Sequence, residues 1–204
     1  SEMCIRDRLH ARVHLEDGAV REVDFVNVPS FVVERGATVT LPTGRVVTYD
    51  LAYGGAFYAY VDARAVDLRL EPARYPEIVR AGRSIKEVIA AARVIEHPFE
   101  EDLGFLYGTI FIEPSADGSA HSRNVCVFAE GEVDRSPTGS GVSGRAAVHY
   151  LRGELQPFER IEIESLVGSR MGVEIIDVCD YGPYRAVVPR VSGNAWVTGT
   201  STFV

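Results

Sequence analysis

Short segments in which apolar and polar residues alternate fill most of this 204-residue chain. That period of two is typical of half-buried β-strands. The first such segment, LHARVHLEDGAVREVDF, alternates on both sides of Asp17 and Gly18, a pair that favours a tight hairpin turn. The second, RGATVTLPTGRVVTYDLAY, turns at Pro42, Thr43 and Gly44, which are also residues typical of turns. The sequence therefore predicts two hairpins near the start of the chain.

Two segments instead follow the helical spacing of three and four residues between apolar positions. The longer predicted helix lies within residues 78–95, and Gly82 marks the place where it would be interrupted. The second, VSGRAAVHYLRGEL, is expected to end near Gly153 with Arg152 in its last turn.

The remaining alternating segments are read as strands: GGAFYAYVDA, FLYGTIFIEP, SRNVCVFAEGEV, RIEIESLVG, GVEIIDVCDY, YRAVVPRVSG and AWVTGTSTF. FLYGTIFIEP and SRNVCVFAEGEV are expected to pair. Predicted strands outnumber helices, and no ordered series of βαβ units is visible in their order. The predicted fold class is α+β, with a mostly antiparallel sheet wrapped around a central helix.

Composition restricts the partners of the protein. Hydrophobic residues make up 46% of the chain and charged residues 25%, as in ordinary globular proteins. No run approaches the roughly 18 apolar residues that a spanning helix needs, and no signal-peptide pattern opens the chain. The net charge of -8 would repel a phosphate backbone. We therefore expect a cytoplasmic protein that binds a small molecule, without a nucleic-acid or membrane partner.

The three cysteines, Cys4, Cys126 and Cys179, are widely spaced and form no CxxC pattern. Neither a disulfide framework nor a metal site is expected. Cys126 and Cys179 lie in apolar runs, which predicts small buried side chains of low reactivity. Trp196 is likewise predicted to fill a core, and the glycines of YGGAFY are interpreted as positions of a bulge or of close backbone packing.

The two ends of the chain are unusual. Residues 1–8, SEMCIRDR, have no period and abut an alternating strand abruptly, which favours a non-native leader. The last residues stop within an apparent strand, with no polar tail or turn. The sequence is therefore interpreted as a fragment.

The segment GEVDRSPTGSGVSGRAAVHY joins a predicted strand to a helix and carries an acid, a hydroxyl and glycines at that junction. The N–H groups of a first helical turn lack partners within the helix and attract anions. Gly139 and Gly141 would leave those groups accessible. Thr138 would present its hydroxyl beside the anion, and Asp134 would accept a hydrogen bond from an ammonium or ring N–H. An amino acid carries both an anionic and a cationic group.

A simpler interpretation of this segment remains open. Asp134, Ser136 or Thr138 would only cap the helix, and the glycines would only form a tight turn. Taken alone, the segment favours this structural interpretation. It is not a phosphate-binding P-loop, because it lacks the lysine of that motif.

Further blocks decide between these interpretations. DRSPTGSG resembles the DRSPCGTG signature of the proline racemase family, and RNVCVFAEGEV is similar to the strand that precedes it there. NVPSFV, DLAYGGAFYAYVDA, ESLVGSRMGVEI and VSGNAWVTGTSTF resemble successive blocks of that family in the family's order. The resemblance extends from about Leu9 to Val204.

This resemblance implies a cofactor-independent enzyme of two similar lobes, each of the diaminopimelate epimerase-like kind, with the substrate held between them. Racemases and epimerases of the family use two cysteines on opposite faces of the α-carbon, and Thr138 stands at the second position. An aliphatic hydroxyl is no useful base at pH 7, so racemisation by two bases should fail. The threonine is typical of the branch that dehydrates trans-3-hydroxy-L-proline to pyrroline-2-carboxylate.

The resemblance also implies roles for individual residues. Thr138 would orient the substrate or assist its leaving hydroxyl. Asp134 would bind the ring nitrogen, the N–H groups of Gly139 and Ser140 the carboxylate, and Phe128 would pack against the ring. Ser140 departs from the threonine that is usual in the family, a change that a backbone contact tolerates.

The first cysteine of the family, in an MCGHG-like motif, has no counterpart in this chain, since Cys4 is followed by neither glycine nor histidine. The chain alone is therefore expected to be inactive. Residues 9–27 are interpreted as a remnant of the first lobe, residues 28–190 as the second lobe and residues 191–204 as a truncated strand that returns to the first. A homodimer is the expected assembly.

Two alternative functions stay open at this point. One is a 4-hydroxyproline 2-epimerase or proline racemase, for which replacing Thr138 by cysteine would change little. The other is a binding module for amino acids that catalyses no reaction.

Overall fold

The computed structural model describes residues 10–115, 117–197 and 199–202. The proposed leader, Cys4, Leu9 and the last two residues lie outside these ranges. The strands are β1 (Ala11–Glu16), β2 (Ala19–Val26), β3 (Ser30–Thr40), β4 (Val46–Tyr53), β5 (Phe57–Asp62), β6 (Leu106–Glu113), β7 (Ser122–Phe128), β8 (Glu132–Val133), β9 (Arg160–Glu164), β10 (Arg170–Tyr181) and β11 (Tyr184–Gly193). The helices are α1 (Tyr75–Ala92) and α2 (Gly139–Arg152).

Both predicted hairpins are confirmed. Asp17 and Gly18 have φ values of 52° and 77° between β1 and β2, as a turn matched to the twist of a hairpin requires. Between β3 and β4, the N–H of Leu41 donates to the carbonyl oxygen of Arg45 at 2.8 Å. Gly44 takes a φ of 82° in that turn. Local turn chemistry therefore accounts for the pairing of β1 with β2 and of β3 with β4.

The sheet is mixed and closes on itself. Its strands follow the order β1-β2-β11-β10-β9-β7-β6-β5-β4-β3, and β3 pairs again with β11 through Phe31 and Ala186. Eight strands thereby form a barrel, from which the β1–β2 hairpin extends along β11. Two pairings are parallel, β5 with β6 and β7 with β9, and the others found in the described ranges are antiparallel. The predicted α+β class with a mostly antiparallel sheet around a central helix is confirmed.

Helix α2 occupies the interior of the barrel, and all residues from Gly141 to His149 are buried. Helix α1 packs on the outer side of the sheet through Ile78, Ile85 and Ile89. Alternate residues of β5 serve the two helices. Tyr60 hydrogen-bonds to the backbone of α2, whereas Phe57 belongs to the core cluster that includes the isoleucines of α1.

Three expectations from the sequence are wrong. Helix α1 runs without interruption through Gly82, because a Cβ there would lie 2.5 Å from Val127, so the glycine serves the close packing of helix on sheet. Second, no βαβ units were expected, but the parallel pairings make two of them, β5-α1-β6 and β7-α2-β9. The long connection after β5 and the loop before α2 make these units hard to recognise in the sequence.

The third error concerns the segment after β11. Residues 194–197 and 199–202 form no strand, although AWVTGTSTF was expected to form one. Trp196 is 76% exposed rather than part of a core. Its segment forms no ladder with a strand in the described ranges, and an alternating pattern without a partner strand does not form a sheet. The division into lobes at residues 27 and 190 stays a prediction.

Among the described residues, no helix is both long and apolar enough to cross a membrane.

Candidate functional site

The loop before α2 is folded around the carboxylate of Asp134. One oxygen, Oδ1, accepts a hydrogen bond from the N–H of Ser136 at 2.8 Å. The other, Oδ2, accepts one from the hydroxyl of Thr138 at 2.9 Å. The N–H of Thr138 donates in turn to Oγ of Ser136 at 3.1 Å. These three hydrogen bonds fix the Thr138 hydroxyl beside a negative charge.

Thr138 is the residue that directly precedes α2, and its backbone is strained. Its φ of 70° and ψ of 106° lie in a region that a β-branched residue rarely adopts, at a cost on the order of 1–3 kcal/mol. Its side chain is 7% exposed. Such strain persists where the surrounding structure imposes it, and it is common in active sites. The residues around Thr138 therefore hold it in a strained conformation directly before α2.

The N terminus of α2 stays open to a ligand. Within the described residues no side-chain hydrogen bond caps the helix, so the part of the simpler interpretation in which the side chain of Asp134, Ser136 or Thr138 caps the helix is wrong. The first helical hydrogen bond joins the N–H of Val142 to the carbonyl oxygen of Thr138 at 2.8 Å. The N–H groups before it carry the positive end of the helix dipole. An anionic group placed there would receive hydrogen bonds from the backbone.

The two glycines of this turn serve different purposes. A Cβ on Gly141 would lie 2.5 Å from Cδ1 of Ile110, so this glycine is required by packing inside the barrel. A Cβ on Gly139 would meet only the Phe25 ring, at 3.7 Å, which is ordinary contact. Gly139 lines the cavity described next, whereas Gly141 does not. The sequence interpretation, in which both glycines leave room for a ligand, therefore still applies to Gly139 but not to Gly141.

The five site residues expected from the sequence meet at one cavity of about 450 Å³. Asp134, Thr138, Gly139 and Ser140 form one side of it, and Phe128 lies on another. The remaining lining residues are Gly55, Ala56, Tyr58, Leu103, Phe105 and Tyr107. A cavity of this size, with an apolar wall and a few convergent polar groups, is typical of small-molecule sites.

The aromatic wall is built by neighbouring strands. The rings of Phe128 and Tyr107 stack with centroids 5.6 Å apart and an angle of 10° between their planes. The Tyr107 ring also meets Tyr58 edge to face at 5.7 Å. Stacked rings present a flat apolar surface. Such a surface can pack against the apolar face of a small ligand.

Sequence reasoning missed Tyr58 and Tyr107. The hydroxyl of Tyr58 lies 2.8 Å from Oγ of Ser140, so the side chain of Ser140 is engaged as well as its backbone. YGGAFY was interpreted as purely structural, and this holds for Gly54, where a Cβ would lie 2.2 Å from the carbonyl oxygen of Ser140. Gly55 nevertheless lines the cavity. For Tyr58, the available signal was its place among aromatic residues after the glycine pair Gly54 and Gly55.

Burial keeps the acidic hydrogens near the site in place. Burial raises the pKa of the Cys126 thiol to about 12, and a hydrogen bond with Thr138 offsets only part of this effect. Burial also raises the pKa of Tyr58. Cys126 is fully buried, as expected, whereas Cys179 is only partly buried. Neither Cys126 nor Tyr58 is therefore a base at neutral pH.

Within the described ranges, no three His, Cys, Asp or Glu side chains lie close enough together to hold a metal ion. The cavity is lined by one carboxylate, that of Asp134, by the start of α2, and by four residues that carry hydroxyls, Tyr58, Tyr107, Thr138 and Ser140.

Comparison with known proteins finds relatives over nearly the whole chain. A family model described as proline racemase matches residues 7–204. A trans-3-hydroxy-L-proline dehydratase of Colwellia psychrerythraea is 43% identical over 192 residues, which cover 94% of this chain and 54% of the relative. A 3-hydroxyproline 2-epimerase of Burkholderia multivorans is 40% identical over 182 residues, which cover 89% of this chain and 54% of the relative.

A solved structure gives a similar result. The crystal structure of a hydroxyproline epimerase from Agrobacterium vitis with bound trans-4-hydroxy-L-proline superposes with a TM-score of 0.87 at 31% identity. The match covers 94% of this chain and 55% of the other. The chain spans about half the length of the curated relatives it matches.

Proposed function

Because the chain belongs to the proline racemase family, we propose that it carries the threonine side of a dehydratase that acts on trans-3-hydroxy-L-proline. The observation that carries this proposal is the hydroxyl of Thr138, held at the open N terminus of α2. The name of the Colwellia psychrerythraea relative supports the same substrate and reaction. The complete enzyme would be longer than this 204-residue chain.

In this proposal the substrate binds through both of its charges. Its carboxylate receives hydrogen bonds from the N–H groups of Gly139 and Ser140, where the helix dipole is positive. Its ring nitrogen donates to Asp134, and its ring packs on Phe128. The cavity lined by these residues supports that placement.

The proposed reaction breaks two bonds on neighbouring carbons. A base takes the α-proton, the electron pair forms a double bond to the neighbouring carbon, and the 3-hydroxyl leaves with a proton as water. The resulting enamine then becomes pyrroline-2-carboxylate by moving a proton. The base would come from a part of the longer protein outside this chain, since the cysteine of the family's first motif has no counterpart in it.

Thr138 serves the leaving group in this scheme. Its own proton is directed to Asp134. Its oxygen also interacts with the Cys126 thiol, which leaves one lone pair to accept a hydrogen bond from the substrate, and rotation of the hydroxyl would let it donate instead. An unassisted aliphatic hydroxyl is too weak an acid to return a proton to the opposite face as a thiol does. Dehydration needs no such return.

An epimerase is the second candidate, because the Burkholderia multivorans relative and the Agrobacterium vitis structure are named as epimerases. The names of these two proteins do not say which residue each has at the position that corresponds to Thr138. The two candidates differ in whether that side chain must exchange a proton. Thr138 therefore supports dehydration over epimerisation.

The test joins this chain to the part of the Colwellia psychrerythraea dehydratase that lies outside the match, with that enzyme as the positive control. We expect the chimera to form pyrroline-2-carboxylate from trans-3-hydroxy-L-proline. Thr138→Ser should keep this activity. Thr138→Val, which retains the shape and loses the hydroxyl, should lower turnover about 10²-fold. Thr138→Cys should create an epimerase activity on trans-4-hydroxy-L-proline. Chiral chromatography of the reaction mixture measures this activity.

Two results would count against the proposal. Epimerisation by the unmodified chimera, unchanged in Thr138→Cys, would favour the epimerase. Binding of proline analogues by a folded chimera, without exchange of the α-proton in deuterated water, would favour an amino-acid binding module. The absence of a cofactor, the cytoplasmic location, the homodimer and the division into lobes stay predictions from the sequence.

A further inference from the structure

A second cavity, of about 450 Å³, lies beside the later turns of α2. Arg145, His149 and Arg152 line it at spacings of four and three residues, so they share one face of the helix. Tyr60 and His121 contribute from the surrounding strands and loops. None of these residues lines the cavity at Thr138, so the two cavities are distinct.

Arg145 is the unusual residue of this cavity. It is 4% exposed, and its hydrogen bonds run to neutral groups. Nη1 donates to Oδ1 of Asn124, and Nε donates to Nε2 of His149 at 3.2 Å. Among the described residues, no carboxylate lies within the 4.0 Å of an ion pair, and Nη2 has no hydrogen-bond partner. A buried guanidinium without a counterion is costly.

The other charges around the cavity are already paired. Asp50 binds Arg152 at 2.5 Å, and Asp62 binds Arg64 at 2.7 Å. The third carboxylate, Glu113, binds Arg123 at 3.2 Å. These three carboxylates of the wall are therefore paired with other arginines, and none of them forms an ion pair with Arg145.

His149 does not supply the missing negative charge. Its Nδ1 lies 2.6 Å from Oε2 of Glu154, while its Nε2 accepts from Arg145. That pattern requires a neutral imidazole with its proton on Nδ1. The ring of His121 lies edge to face against it, with centroids 4.9 Å apart. The direct partners of Arg145 are therefore neutral, and the Glu154 carboxylate reaches it only through the His149 ring.

We propose that this cavity binds a small oxyanion, a phosphate or a carboxylate, on the guanidinium of Arg145. The planar fork of arginine matches two oxygens of such a group, and burial strengthens each charge-assisted hydrogen bond. His121 and Ser122 line the same wall and offer further polar contacts. This site is separate from the proposed substrate site and does not depend on it.

The experiment titrates the purified chain with inorganic phosphate and, separately, with malonate, against sodium chloride of matched ionic strength. The readout is the NMR signals of the His121 and His149 imidazoles, which report this cavity and not the one at Thr138. We expect saturable shifts with at least one of the two anions and none with chloride. Which anion binds more tightly identifies the phosphate or the carboxylate as the preferred group.

Two variants test the role of Arg145. Arg145→Met should weaken binding at least tenfold, whereas Arg185→Met, which removes an exposed arginine paired with Asp180, should leave it unchanged. Arg145→Lys, which keeps the charge without the fork, should bind with intermediate affinity. The absence of imidazole shifts with either anion in the unmodified chain would overturn the proposal, as would equal affinity in a folded Arg145→Met variant.

Discussion

His149 lies near the end of α2 with its imidazole between Arg145 and Glu154. Burial, and then the charge of Arg145, lower its pKa to about 4. Its ordinary value is 6.5. The folded protein therefore resists protonation of this ring, whereas the unfolded chain does not.

This difference predicts a loss of stability in acid. Because the folded pKa is the lower one, the unfolded state binds more protons between pH 6.5 and pH 4, and stability falls as the pH falls through that window. At about 1.4 kcal/mol per pH unit, the loss from this ring is on the order of 2–3 kcal/mol. Urea unfolding at pH 7 and pH 4.5 should show it, and His149→Gln should reduce it. An unchanged loss in His149→Gln would contradict the assignment.

At the same scale, the sequence identified the polar half of the candidate site but not the aromatic half. Asp134, Thr138 and Gly139 are recognisable because a helix start imposes local chemistry on a short segment. Tyr58 and Tyr107 lie on strands distant in sequence from α2, and the fold brings Tyr58 to Ser140 and Tyr107 to Tyr58. Contacts between distant strands depend on a register that a local pattern does not contain.

At the scale of elements, α2 approaches β4 and β5 so closely that side chains are excluded at the contact. A Cβ on Gly54 would lie 2.2 Å from the carbonyl oxygen of Ser140 and 2.3 Å from the N–H nitrogen of Gly144. A Cβ on Gly144 would lie 2.4 Å from the hydroxyl of Tyr60. Gly54 thus holds the start of α2, and with it Thr138, against the sheet.

We predict that Gly54→Ala destabilises the protein by at least about 2 kcal/mol, because backbone cannot move aside as a side chain can. Gly193→Ala is the matched control, since its Cβ would meet Met171 at 3.5 Å, an ordinary contact in a strand. Urea denaturation of both variants measures the difference. Equal midpoints would show that the helix shifts without cost.

The elements themselves were predictable where the determinants are local. The hairpin at Asp17 and the end of α2 at Gly153, with its φ of 73°, follow from turn and capping chemistry. The parallel pairing of β5 with β6 was not predictable, since it depends on the packing of α1 across the sheet. The prediction that Trp196 is buried was wrong for a related reason, because burial requires a partner surface as well as an apolar side chain.

At the scale of the whole molecule, the β1–β2 hairpin extends from the barrel. Every residue of β1 is exposed, and among the described residues β1 pairs only with β2. Val13, Leu15 and Val20 are 53%, 67% and 58% exposed. Few buried apolar contacts therefore oppose opening of the hairpin.

The rate of amide hydrogen exchange should differ between the β1–β2 hairpin and the barrel. We expect the amides of β1 to exchange by local opening, far faster than those of β10, which is paired on both sides. Mass spectrometry of exchanged peptides covering residues 11–16 and 170–181 measures the difference. Protection of β1 equal to that of β10 would mean that the hairpin unfolds only with the barrel.

The seam between β3 and β11 has a consequence for biosynthesis. It joins Phe31 to Ala186 and Ser30 to Val187, so the strand made early must wait for a partner made much later. Pairings this distant in sequence form slowly and leave strand edges unpaired in the meantime. On the ribosome, the nascent chain can form its hairpins as they emerge, but the barrel that encloses α2 can close only after β11 has left the exit tunnel.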